Sequence, residues 1–139
     1  MKQDRHALQR LRRLERVREV AKQTAVMESA EAEGTLGQLV ALRDRTRAIA
    51  ASYRPPVAET DGGDLRRMRA FVEGVGRLTG QTEQDITAAQ SRADALRGDL
   101  AAAQRRLSLA SERTIRCRKA LNAERPAETP ARRSNWHET

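Results

Sequence analysis

The sequence predicts an all-α protein, a long antiparallel two-helix coiled-coil hairpin with a disordered C-terminal tail, and three observations predict it. A three-four spacing of apolar residues runs unbroken through the second half of the chain. The helical pattern is interrupted once, mid-chain, by a proline pair and a glycine pair. Large aromatic side chains are nearly absent, one Trp, one Tyr and one Phe making up 2% of 139 residues. Such side chains bury the most apolar area each, so their scarcity argues against a globular core. A 33% share of Asp, Glu, Lys and Arg completes the profile of extended helices.

A first helix is expected over about residues 4–53. Its seam reads Leu11, Leu14, Arg18, Ala21, Ala25, Glu28, Ala32, Thr35, Leu39, Leu42, Thr46, Ile49 and Tyr53, with charged or polar residues at several positions. A loop over about 54–63 follows. Arg54-Pro55-Pro56 cannot continue a helix, because proline lacks the amide donor and disfavours helical geometry in the residue before it. Asp61-Gly62-Gly63-Asp64 supplies turn chemistry, with Asp61 or Asp64 as N-cap.

The second helix is expected over about 64–124. Leu65, Met68, Val72, Val75, Thr79, Thr82, Ile86, Ala89, Ala93, Leu96, Leu100, Ala103, Leu107, Ala110, Thr114, Cys117 and Leu121 form a heptad seam in which every position is apolar or Thr. That is the pattern of a left-handed coiled coil, and at 1.5 Å per residue the helix spans about 90 Å. Pro126 ends it, so residues 1–125 are expected as one hairpin domain and 126–139 as a disordered tail.

A short connection forces the helices antiparallel. Tyr53 is then expected beside Leu65, and the start of the first helix beside Ala110. In this register Ala25, Glu28, Ala32 and Thr35 face Thr82, Ile86, Ala89 and Ala93, small residues that bury little area and weaken the middle. Gly34, Gly37, Gly74, Gly76 and Gly80 weaken the loop half by roughly 1 kcal/mol each relative to Ala, so bending or fraying is expected there.

The formal net charge is +8. Residues 1–22 carry eight Lys/Arg against three acids, and 104–133 carry nine against three, whereas 23–103 carry ten against twelve. Antiparallel packing gathers both basic ends into one tip, with Arg10, Arg12, Arg13, Arg16, Arg18, Lys22, Arg105, Arg106, Arg113 and Arg116 as candidate partner-binding residues. Arg118 and Lys119 extend the cluster. Local Glu pairing cannot neutralise it, so the tip should attract an acidic surface. Leu8, Leu11, Leu14, Val17 and Val20 recur every third residue and drift around the helix. Val17 falls to the side of the seam, Val20 and Met27 point away, and these three form a candidate apolar partner face.

No feature carries catalysis. Gly74-Val75-Gly76-Arg77-Leu78-Thr79-Gly80 lies inside the heptad seam, not between a strand and a helix N-terminus as a nucleotide loop must. His6 and His137 stand at opposite ends of the sequence with no ligand cluster beside them. Cys117 sits on the seam as a small apolar residue. Neither an enzymatic activity nor a cofactor, metal or small-molecule substrate is expected. No run approaches the roughly 18 apolar residues of a membrane span, and the chain reads as cytoplasmic.

The segment Leu8-x-x-Leu11-Arg12-Arg13-Leu14-Glu15-Arg16-Val17-Arg18-Glu19, the Ala/Glu-rich stretch from Ala21 to Glu33 and the plan of two long helices resemble the flagellar FliJ family and its virulence-secretion counterparts. So do a short loop after Ile49-Ala50-Ala51-Ser52-Tyr53 and a basic end around Glu112-Arg113. The resemblance covers about residues 5–122. It implies a non-catalytic, stalk-like component of the type III protein export apparatus. Such a component binds the export ATPase ring, promotes its assembly and contacts the export gate protein and substrate chaperones. It also implies a peripheral position at the cytoplasmic face of the inner membrane, with the basic tip entering the ring. The competing reading is a basic coiled coil that binds nucleic acid or serves structural oligomerisation. Against nucleic acid stands the near absence of aromatic residues for base stacking.

Overall fold

The computed structural model describes residues 2–53 and 62–124, and all of them except Tyr53 are helical. Helix α1 spans Lys2–Ser52 and helix α2 spans Gly62–Glu124, so both elements fall within two residues of their sequence-based bounds. The expected tail and most of the expected loop lie outside the described residues. At the end of α1 the Tyr53 amide donates to the Ile49 carbonyl at 3.1 Å, and the Ser52 hydroxyl donates to the same carbonyl at 3.0 Å. These bonds satisfy groups that a helix end leaves open. Asp64 lies in the first turn of α2, where the helix dipole favours a carboxylate.

The two long helices pack against each other, and the chain divides into two compact units. A terminal unit comprises Met1–Val26 and Asp99–Thr139, and a central unit comprises Met27–Gly98. In the terminal unit α2 presents Leu100, Ala103, Leu107, Ala110, Thr114, Cys117 and Leu121, every one buried or half-buried. In the central unit the same holds for Val75, Thr79, Thr82, Ile86, Ala89, Ala93 and Leu96. The α2 seam therefore matches its sequence reading from Val75 onward.

Threonine occupies seam positions without a partner across the interface. The hydroxyls of Thr79, Thr82 and Thr114 donate to the carbonyls of Val75, Leu78 and Ala110 at 2.8, 2.8 and 3.0 Å. Thr46 of α1 does the same to Leu42 at 2.8 Å. Each polar group is satisfied within its own helix, which leaves the methyl free to pack like that of Val.

The α1 seam departs from its reading at alternate positions. Ala21, Glu28, Thr35 and Leu42 are exposed, and Lys22, Ser29, Leu36 and Arg43 take their places. Glu15 is half-buried beside Leu14. Leu36 is simply more apolar than Thr35, whereas at the other positions the partner rewards properties besides apolar character. Ser29 is small enough for close approach, Lys22 covers apolar surface with its stem, and Glu15 and Arg43 reach polar groups on α2.

The register also differs. In the central unit the Tyr53 ring lies 4.4 Å from the ring of Phe71, not beside Leu65. Arg47 Nη2 meets Glu83 Oε1 at 2.7 Å, with Arg43 Nε 3.9 Å from the same oxygen, and Glu33 pairs with Arg97. In the terminal unit the Ser111 hydroxyl donates to Glu15 Oε1 at 2.9 Å. These partners lie roughly two to three turns further along α2 than expected. A connection of about eight residues can reach ~26 Å, so its length never confined the register to a flush pairing. The seam positions Leu65 and Val72 are accordingly 51% and 58% exposed.

The core is thin. Among the described residues, Ala32, Ile86 and Ala93 are the buried apolar residues of the central unit, and Ala103 and Ala110 those of the terminal unit. Small residues do concentrate where the helices meet, though Ala25, Glu28, Ala32 and Thr35 are not aligned with α2 as expected.

A basic surface as the candidate partner-binding site

In the terminal unit the start of α1 and the end of α2 run side by side, and nearly every candidate basic residue faces solvent. Arg10, Arg12, Arg13, Arg16, Arg105, Arg106, Arg113 and Arg116 are exposed, as are Arg118 and Lys119. Arg18 and Lys22 differ: both are half-buried on the α1 seam. A long aliphatic stem allows such a residue to lie partly covered at a seam while its charged head stays in water.

The cluster is poorly compensated. Among the described residues one ion pair involves it, Arg116 Nη2 to Glu112 Oε2 at 4.0 Å. Glu15 is engaged by Ser111, and Glu19 accepts from Gln23 Nε2 at 3.5 Å. In the central unit Arg43 and Arg47 of α1 meet Glu83 of α2, and Arg97 of α2 meets Glu33 of α1. Arginine–carboxylate pairs thus cross-link the helices in the central unit and, among the described residues, do not in the terminal unit.

The apolar candidates are exposed as well, Val17 and Val20 at 62% each in the terminal unit and Met27 at 71% in the central unit. Sequence reasoning overlooked Leu109, 53% exposed on α2 of the terminal unit, and Ile115. Their signal was present, since both fall one residue away from a seam position, Leu109 before Ala110 and Ile115 after Thr114.

Gly74 to Gly80 are helical throughout, so no backbone cradle for a phosphate forms there. Cys117 is half-buried on the seam. Among the described residues no three His, Cys, Asp or Glu side chains group so as to hold a metal ion, and no helix is long and apolar enough to cross a membrane. The chemistry available to this surface is charge pairing and apolar contact. No known family, curated protein or solved structure matches the chain.

Proposed function

We propose that this chain is a non-catalytic component of the flagellar type III protein export apparatus. In this reading it binds the export ATPase ring, promotes its assembly and contacts the export gate protein or substrate chaperones. It works in the cytoplasm, peripherally at the inner membrane. The observation that carries the reading is the terminal unit itself, where arginines from both helices stand exposed with a single ion pair among the described residues. A cluster of one sign focuses the field and draws in an acidic partner. The resemblance of residues 8–19 and of the two-helix plan to FliJ proteins selects the export ATPase as that partner.

The test is charge reversal of exposed arginines. Arg13→Glu with Arg16→Glu should abolish binding to, and stimulation of, the export ATPase while leaving helicity intact by circular dichroism. Unchanged stimulation would overturn the assignment. Nucleic acid is disfavoured because the terminal unit's described residues include no Phe, Tyr or Trp for base stacking. A retardation assay at about 0.15 M salt should show no complex.

A further inference from the structure

The bond from Ser111 to Glu15 fixes which residues stand level in the terminal unit. Two steps further along α1 and two steps back along α2 bring Val17 level with Leu109. Two steps the other way bring Arg13 level with Arg113. The seams supply the sides. In a right-handed helix the residue before a seam position lies about 100° to one side of it. Because α1 and α2 run in opposite directions, the residues preceding the seam on both helices fall on the same side of the pair.

On α1 the seam positions are Leu11, Glu15, Arg18 and Lys22, and on α2 they are Ala103, Leu107, Ala110 and Thr114. The residues before them are Arg10, Leu14, Val17 and Ala21, and Ala102, Arg106, Leu109 and Arg113. This side has an apolar centre, Leu14, Val17 and Leu109, edged by Arg10, Arg106 and Arg113. None of those arginines has an ion pair among the described residues, and no acid interrupts the eight positions. The opposite side carries Arg12, Arg16, Glu19 and Gln23 on α1 and Gln104, Ser108 and Ser111 on α2, so it too is basic in part but has no apolar centre, and Ile115 stands there alone.

We propose that this side of the terminal unit docks an acidic amphipathic helix of a partner protein. The partner's apolar stripe packs on Leu14, Val17 and Leu109, and its flanking carboxylates pair with Arg10, Arg106 and Arg113. The proposal rests on the reading of this unit as a protein-binding surface, not on the partner being the export ATPase. Charge complementarity selects the occupant. A second copy laid face to face would set arginine against arginine, which like-charge repulsion disfavours. A third helix with acidic flanks completes a heptad-type interface and supplies the missing counter-charges.

The probes are two fluorescent synthetic peptides of identical Leu, Ala and Glu composition, one with Leu at heptad spacing and one scrambled, titrated with the full chain at about 0.15 M salt. The heptad peptide should bind and the scrambled one bind at least about tenfold more weakly. Val17→Asp and Leu109→Asp should each weaken binding roughly tenfold or more, the worth of one buried aliphatic side chain. Ile115→Asp, the same change on the other side, should leave binding within about twofold, and circular dichroism should show all three variants helical. Equal binding of the two peptides, equal loss in Ile115→Asp, or no peptide binding at all would overturn the docking face. Self-association in sedimentation that Leu109→Asp abolishes would overturn it in favour of a second copy. Capture by anionic vesicles or duplex DNA that Val17→Asp weakens equally would overturn it in favour of a general anionic surface. Measuring ATPase stimulation on the same variants keeps the two readings apart, because peptide binding lost with stimulation intact leaves the export reading standing.

Discussion

All eight glycines of the chain fall between residues 34 and 98, within the central unit. A Cβ built at Gly34, Gly37, Gly76 or Gly80 meets no heavy atom within 4 Å, and all four are exposed in helices. They are not there to permit close approach of the helices. Each costs the helix about 0.8–1 kcal/mol relative to Ala, chiefly through the freedom it gives the unfolded chain. Replacing all four with Ala should therefore stabilise the central unit. Simple addition gives about 3–4 kcal/mol, and neighbour coupling within Gly34/Gly37 and Gly76/Gly80 lowers the expectation to about 2–4 kcal/mol. Against a typical total of 5–15 kcal/mol this is a large change. In urea unfolding followed by circular dichroism the midpoint should rise by about 1–2 M with the slope unchanged. Amide exchange should slow across residues 27–98. An unchanged or lower midpoint would refute the reasoning, because it would mean that the glycines sit in closer packing or outside stable helix.

Two smaller perturbations probe the interface of the same unit. Ala93 is 1% exposed on the α2 seam, so Ala93→Leu should destabilise by about 1–3 kcal/mol through overpacking, whereas Ala95→Leu on the exposed side should not, as thermal melts will show. Glu33 and Arg97 are paired but only partly shielded, so a double-mutant cycle on them should give a coupling below about 1 kcal/mol that falls further at 1 M salt.

The fold class and the α2 seam were legible because α2 repeats one physical property. Each seam position from Val75 to Leu121 is apolar, or is a Thr that can bond its own helix, so heptad spacing alone locates the interface. The α1 seam was legible only in part, at Leu11, Arg18, Ala25, Ala32, Leu39 and Thr46. Glu15, Lys22, Ser29 and Arg43 occupy the positions between for reasons that lie on the other helix, and no pattern within α1 reveals what Ser111 or Glu83 offers. Register escaped for the same cause, compounded by a connection whose number of residues is compatible with several registers. The candidate arginines were legible as exposed because charge predicts exposure, and it failed only for Arg18 and Lys22, where a long stem let the head leave the seam. The side on which Val17 joins Leu109 needed both the true α1 seam and the register.

The polar residues on the α1 seam also bear on why α2 pairs with α1 at all. An uninterrupted apolar seam such as that of α2 would accept many partners, its own copies included, and several registers, since each one-heptad slip restores apolar contact. Glu15 with Ser111, Arg43 and Arg47 with Glu83, and Glu33 with Arg97 each form only when the helices are correctly placed. Because these groups are partly exposed, they add little stability, so their main effect is to disfavour alternatives. In the terminal unit this choice has an electrostatic consequence. Glu15 keeps its negative charge when the Ser111 hydroxyl donates to Oε1, but the bond ties that oxygen to α2. The contact that fixes the register therefore holds this carboxylate half-buried at the seam, where no arginine pairs with it among the described residues.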